Sequence, residues 1–347
     1  MFKTLLGLRK KLTILMVLTT IMALGYPAGQ ADCQTLNYAN FPPAPTFPCV
    51  QMERWAQEIE ARTRGEVKIM TFPGGTLLGA KNMFDGVKNG LADIGCFCPP
   101  YLPGRFPLFE AVDLPVGFTS ARVASAVLWD LYEKYQPESF KDVKVLTMFT
   151  CAPANLMLKV PATTLEELRG MEIRGTGISG RYLEAMGAVA VAMPMSAAPE
   201  ALQKGVVKGI FSSLEIMKDF KFAELCKHVT IINGPTTSFA VIMNQKKWEA
   251  LTPETQKIFS DLGREQALWT GAYEDDHVRE ALTWSENEHR VKINTISPQE
   301  SAIIAERVRF MTEAYLNHTA KAGLPGKAFL DDLYALKAAY EKEYAGK

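Results

Sequence analysis

Leu165-Glu166-Glu167-Leu168-Arg169-Gly170-Met171-Glu172-Ile173-Arg174-Gly175-Thr176-Gly177 is the stretch whose reading decides the fold. Leu165 and Leu168 sit at helical spacing, Gly170 supplies a tight turn, and Met171–Arg174 reads as a strand. The glycines then break the strand, and a new helix starts at about Ile178. Arg174 therefore stands at the carboxyl end of a strand, beside the crevice where open α/β sheets bind ligands. The following helix would aim free backbone N–H groups at the same place. A guanidinium offers two parallel donors to one carboxylate. Together these features point to a site for a small organic anion. The competing reading is a surface ion pair with Glu172, one pleat away on the same face.

Outward from this run, the first half of the chain alternates strands and helices. Strands are expected at Thr35–Ala39, Val67–Phe72, Ala92–Cys96 and Val143–Phe149, with helices over Val50–Thr63 and Lys81–Asn89. Crossovers of this length imply parallel strand pairs. A second series follows, with strands near Met171–Arg174, Ala190–Met193 and Val207–Phe211, and Phe239–Met243 reads as a buried strand. Thr252-Pro253-Glu254 has the chemistry of a helix start, and no proline interrupts the chain again until Pro298. A helix of this length suits a bridge between two lobes. Gln299–Tyr344 is helical, with a break at Gly323-Leu324-Pro325-Gly326.

The ends and the composition set further bounds. Lys3, Arg9, Lys10 and Lys11, the apolar Leu12–Leu24 and the small residues of Gly29-Gln30-Ala31 have the order of a cleaved secretory signal over residues 1–31. An uncleaved anchor is the alternative, although the apolar stretch falls short of the roughly 20 residues that span a bilayer. Removing four basic residues leaves 34 Lys+Arg (38 minus 4) against 38 Asp+Glu, a net charge of −4. That balance argues against a nucleic-acid or anionic-membrane partner. The remaining 316 residues (347 minus 31) exceed what one core usually serves, so two domains are expected. Lobe I takes 32–149 plus 238–278, and lobe II takes 150–237 plus 279–347.

The six cysteines permit disulfides in an exported chain, with 15 pairings that sequence does not separate. Cys96-Phe97-Cys98 lacks the spacing of the usual metal sites, and the four histidines show no matching motif, so no metal or other cofactor is expected. Gly175-Thr176-Gly177-Ile178-Ser179-Gly180 fits a dinucleotide fingerprint literally, but an arginine precedes the glycines and the chain is exported. A turn beside a ligand is the better reading. Gly177-Ile178-Ser179-Gly180 also misses the hydrolase nucleophile elbow by one position.

With these motifs in place, the chain resembles the solute-binding proteins of TRAP transporters, the DctP family, over essentially its whole mature length. The resemblance is carried by Phe72-Pro73-Gly74-Gly75-x-Leu77-Leu78-Gly79, Gly86-x-x-x-Gly90-x-x-Asp93-Ile94, Asp113-Leu114-Pro115, Leu165–Arg174, Leu183-x-x-Met186-Gly187-Ala188, Met193-Pro194, Glu200–Gly209 and Met243-Asn244, in that order. It implies a two-lobed α/β fold of the periplasmic-binding-protein kind, each lobe a mixed, mostly parallel sheet flanked by helices, with a long interlobe helix. It also implies a periplasmic receptor, a membrane permease as partner, and hinge closure on the ligand. A monomer is expected, with a homodimer as the alternative.

The same resemblance makes Arg174 the carboxylate clamp and puts Ser212, Asn40 and Cys98 at ligand-contact positions. Many members carry a second arginine after the fourth strand. Here that place holds Cys151-Ala152-Pro153-Ala154-Asn155, with Asn155 as its polar candidate. Apolar neighbours (Phe97, Phe149, Met195, Phe211) then favour a monocarboxylate with an apolar or aromatic body, with a sulfonate as the alternative. Phe211 and Tyr182 are candidates to stack on such a body, or else core. Lys81 is a lesser candidate for the cleft. The rival functions are a secreted hydrolytic enzyme and a ligand sensor for a signalling receptor.

Overall fold

A computed structural model describes residues 34–345, so the signal-like segment and Cys33 lie outside the described residues. Two mixed sheets form the cores of two lobes. The first sheet has the order β2-β1-β3-β10-β4, from β1 (Gln34–Asn40), β2 (Val67–Phe72), β3 (Ile94–Phe97), β4 (Val143–Thr150) and β10 (Ser238–Asn244). The second runs β11-β9-β5-β8-β6-β7, from β5 (Asn155–Leu158), β6 (Glu172–Arg174), β7 (Val189–Val191), β8 (Gly209–Ser212), β9 (His228–Ile231) and β11 (Lys292–Thr295).

Each sheet has one reversed strand. β10 is antiparallel to β3 and β4, and β5 is antiparallel to β8 and β9. The other pairings, β1–β2, β1–β3, β6–β7, β6–β8 and β9–β11, are parallel. Both reversed strands are the ones that have just crossed from the other lobe. A short crossing delivers a strand without the helical crossover that a parallel neighbour needs. Asp113 anchors the return crossing: its carboxylate accepts from Ser238 N–H at 2.7 Å and Ser238 Oγ–H at 3.0 Å.

The long helix is present as Pro253–His289, 37 residues, with Thr252 Oγ1 accepting from Thr255 N–H at its start. At 1.5 Å per residue it spans about 55 Å. Phe259 and Leu262 lie in the core around the first sheet, where Phe259 meets Trp55 edge-on at 5.1 Å. Val278, Leu282 and Trp284 pack on the second lobe's core. Gln266 Nε2 donates to Gln51 O, tying the helix to Phe47–Arg62.

Several expectations are corrected. Helix Ala121–Tyr135, capped by Ser120 Oγ, and strands β5 and β9 occur where the sequence reading places no element, and β11 lies in the stretch read as helical up to Pro298, because the long helix stops at His289. The chain's tail does not stay with lobe II. Helix Gly326–Tyr344 returns to the first lobe, where Phe329 packs on Phe109 and Tyr135 at 5.2 and 4.9 Å. Cys49, Cys96, Cys98, Cys151 and Cys226 are all buried free thiols, so no disulfide joins the described residues.

Gly263 shows how closely the long helix is seated. A Cβ there would lie 2.6 Å from Leu146 O and 2.8 Å from the Trp129 ring. Gly263→Ala is expected to lower unfolding stability by about 1–3 kcal/mol, the usual cost of overpacking. Urea denaturation checks this, and unchanged stability would show that the helix has room to shift.

Candidate functional site

The cleft between the lobes is walled on one side by Phe41, Phe47, Pro48 and Phe239, and on the other by Arg174, Met195, Ser212, Glu215, Asp219 and Phe220. Its cavity volume is about 50 Å³, opening to about 500 Å³ with the mouth included. The aromatic wall is rigid: Phe239 stacks between Phe41 (6.4 Å) and Phe149 (5.4 Å) and takes Phe47 edge-on at 5.6 Å.

Arg174 ends β6 and is 4% exposed. Its Nε and Nη2 donate to Met193 O at 3.0 and 2.9 Å, and Nη2 also donates to Tyr101 Oη at 3.2 Å. Glu172 is not its partner but faces solvent. Among the described residues no carboxylate lies within ion-pair distance of Arg174, and Nη1 bonds no protein group. The guanidinium is therefore fixed by neutral acceptors and keeps an uncompensated charge at the cavity, which favours an anion there more than bulk water would.

Tyr101 comes from the first lobe, in the turn Pro99–Tyr101 after β3. Its oxygen accepts from Arg174 and from Met195 N–H at 3.1 Å, which uses both lone pairs. The phenolic proton is left to be donated. Burial pushes the phenol up to about 12, with Arg174 opposing, so that proton stays in place at neutral pH. Tyr101 thus bridges the lobes beside the Arg174 guanidinium. Gly177 fits this contact: its φ is +54°, and a Cβ would stand 3.0 Å from Pro100 Cβ.

Of the residues read from the sequence, Arg174 and Ser212 line the cavity, as does Met195. Ser212 is half-buried at the end of β8, with no hydrogen-bond partner among the described residues. The other candidates lie behind the walls. Asn40 is fully buried, donating to Pro48 O and accepting from Phe41 N–H, so it braces the aromatic wall. Phe211 points to the opposite face from Ser212 and stacks on Tyr182 at 5.5 Å in the second lobe's interior. Cys98 is buried at the head of the Tyr101 turn, and burial holds its thiol well above the usual range. Asn155 Oδ1 accepts from Ile232 and Asn233 N–H, holding the return crossing. Lys81 is exposed and off the cavity. The helix starting at Gly177 opens on a separate recess with Pro99, Pro100 and Asp113, not on the Arg174 cavity.

The acidic part of the cleft lining, Glu215 and Asp219, has no counterpart in the sequence reading. Glu215 and Glu274 are buried side by side, and Glu274 Oε1 accepts from Ala152 N–H on the first crossing. Burial pushes Glu215 up to about 7, and it pushes Glu274 well above the carboxylate range with Glu215's charge adding to the rise. Asp219 accepts from His277 at 2.7 Å, a bond that raises the imidazole's pKa.

A family model described as bacterial extracellular solute-binding protein, family 7 (DctP), matches residues 42–318. The chain belongs to that family. Among solved structures, it is 51% identical to a TRAP periplasmic solute-binding protein of Desulfovibrio salexigens, over 89% of this chain and 97% of that one, with a TM-score of 0.81. A marine-metagenome TRAP protein specific for aromatic acids, in complex with 3-hydroxybenzoate, is 30% identical over 88% and 98%, with a TM-score of 0.84. A Rhodoferax ferrireducens TRAP protein holding copurified benzoate is 25% identical over 89% and 98%, also at 0.84. This family-7 chain is a solute receptor of the TRAP type.

The buried acids give the receptor a pH dependence of definite sign. Glu215, Glu274 and His277 all have raised folded pKa values, so each favours the proton-bound folded state. Stability is then fully present below the unfolded values and is lost as pH rises through the folded ones, from about pH 4.3 for the acids and about 6.5 for histidine. Glu274→Gln removes one ionising member. It is expected to raise the thermal midpoint at about pH 8 and to flatten the fall between about pH 5.5 and 8. A Glu274→Gln midpoint below wild type at the higher pH would refute the repulsion account.

Proposed function

We propose that the receptor is exported, binds a small monocarboxylic acid with an aromatic or apolar body, and delivers it to a TRAP membrane permease. The observation that carries the ligand class is the unpaired Arg174 guanidinium, held by Met193 O and Tyr101 opposite a wall of phenylalanines. Two donors remain for one carboxylate, Arg174 Nη1–H and Tyr101 O–H. The relatives that hold benzoate and 3-hydroxybenzoate support an aromatic body. Among the described residues no second arginine lines the cavity, which fits one acid group rather than two.

The ligand would sit between aromatic side chains of one lobe and the arginine of the other, so binding couples to closure. A cavity of about 50 Å³ is smaller than an aromatic ring fills; a cavity of about 150 Å³ takes up benzene. The lobes must therefore part to admit the ligand. Binding without turnover, rather than hydrolysis, is the reading that the family supports.

Arg174→Ala is expected to leave the fold intact and to abolish binding. Removing one partner of a buried charge pair costs about 2–5 kcal/mol, a large part of the roughly 8 kcal/mol of a micromolar complex. Arg174→Lys restores little, because an ammonium lacks the fork that holds Met193 and the ligand together. Calorimetric titration with benzoate decides it. Affinity unchanged in Arg174→Ala would place the acid group elsewhere.

A further inference from the structure

Three carboxylate oxygens in and behind the cleft wall lack a donor: Glu215 Oε2, Glu274 Oε2 and Asp219 Oδ2, each sealed from bulk solvent. The Asp219 side chain is 3% exposed, and Glu215 is 3% exposed. Both line the same cavity as Arg174. A proton shared within the Glu215–Glu274 pair serves two of the three oxygens. Asp219 Oδ2 is still without a donor, since His277 is engaged on Oδ1. A buried acceptor left unsatisfied is costly, and native interiors rarely tolerate one.

We propose that Asp219, with Glu215 beside it, receives a hydroxyl proton from the ligand, so that the preferred cargo is a hydroxy-substituted aromatic monocarboxylic acid. This rests on the receptor reading above and sharpens its ligand class. The acid group goes to the donors Arg174 and Tyr101, and the hydroxyl goes to the acceptors Asp219 and Glu215 that line the same cavity. A hydroxyl suits these acids better than an ammonium, because the shared proton already lowers the negative charge there. A site built to accept a hydrogen bond discriminates strongly against an analogue that lacks the donor.

The test is calorimetric titration of the mature protein with benzoate, 3- and 4-hydroxybenzoate, and the two matching methoxybenzoates. At least one hydroxy isomer is expected to bind about tenfold or more tighter than benzoate, the size of one hydrogen bond to a charged group. Its methoxy counterpart, which has no proton to donate, should show no gain. In Asp219→Asn the ratio of hydroxy acid to benzoate affinity is expected to fall below about threefold. Hydroxy isomers that bind no better than benzoate would overturn the inference and leave the receptor reading standing, with water as the donor to Asp219. An advantage that persists undiminished in both Asp219→Asn and Glu215→Gln would also overturn it. If none of these aromatic acids binds, the inference falls together with the aromatic form of the receptor reading, and an acid with an apolar aliphatic body is left. The wild-type series decides the question even if a variant folds poorly.

Discussion

A desolvated guanidinium with no counter-charge organises the cleft of this receptor. Taking a charge out of water is expensive, and the usual remedy is an ionic partner. Arg174 instead has neutral acceptors, Met193 O and Tyr101 Oη, which fix its geometry and leave its charge uncancelled. The clamp is therefore pre-oriented for an anion. The cost of that arrangement is borne by the surrounding fold, as is common where binding needs a group held in one position.

The same contact connects chemistry to motion. Tyr101 belongs to the first lobe and Arg174 and Met195 to the second, so the hydrogen bonds that hold the guanidinium are also bonds between lobes. Elsewhere the lobes are joined by two crossing segments, by the long helix and by the tail that returns to the first lobe. Glu274 ties that helix to Ala152 on one crossing, while Asp113 and Asn155 hold the other. The proposed opening would break the Tyr101 bonds while these contacts at the crossings persist. An arriving carboxylate would reward reclosure by taking the donors that the two lobes present together.

Much of the scaffold was legible because its signals are local. Thr252-Pro253 and the proline-free run after it mark the long helix, and Val67–Phe72 and Val143–Phe149 read as strands from their apolar β-branched residues. The elements that escaped are those with weak local signals. Asn155–Leu158 is four residues, all buried, with no alternation to read, and Lys292–Thr295 is a short polar edge strand. Ala121–Tyr135 did carry a cue, Ser120 ahead of an apolar repeat, and a stricter search for caps would find it. The return of Gly326–Tyr344 to the first lobe depends on Phe329 meeting Phe109 and Tyr135, a long-range match that no local pattern encodes.

By itself the sequence determined that Arg174 ends a strand at a glycine break, since hydrophobic period, turn chemistry and a family motif coincide in one short run. It did not determine what surrounds that arginine. Tyr101 lies 73 positions away, and Ala152 and Glu274 are 122 apart. Strand alternation gave the choice between Ser212 and Phe211 only as a parity, and the sheet's placement between lobes decided which of them faces the cleft. Asn40 and Asn155 have suitable chemistry for a ligand, but the tertiary structure spends their hydrogen bonds on backbone groups. The physical reason is common to all of these: whether a polar side chain is available depends on which donors and acceptors folding brings to it from remote parts of the chain.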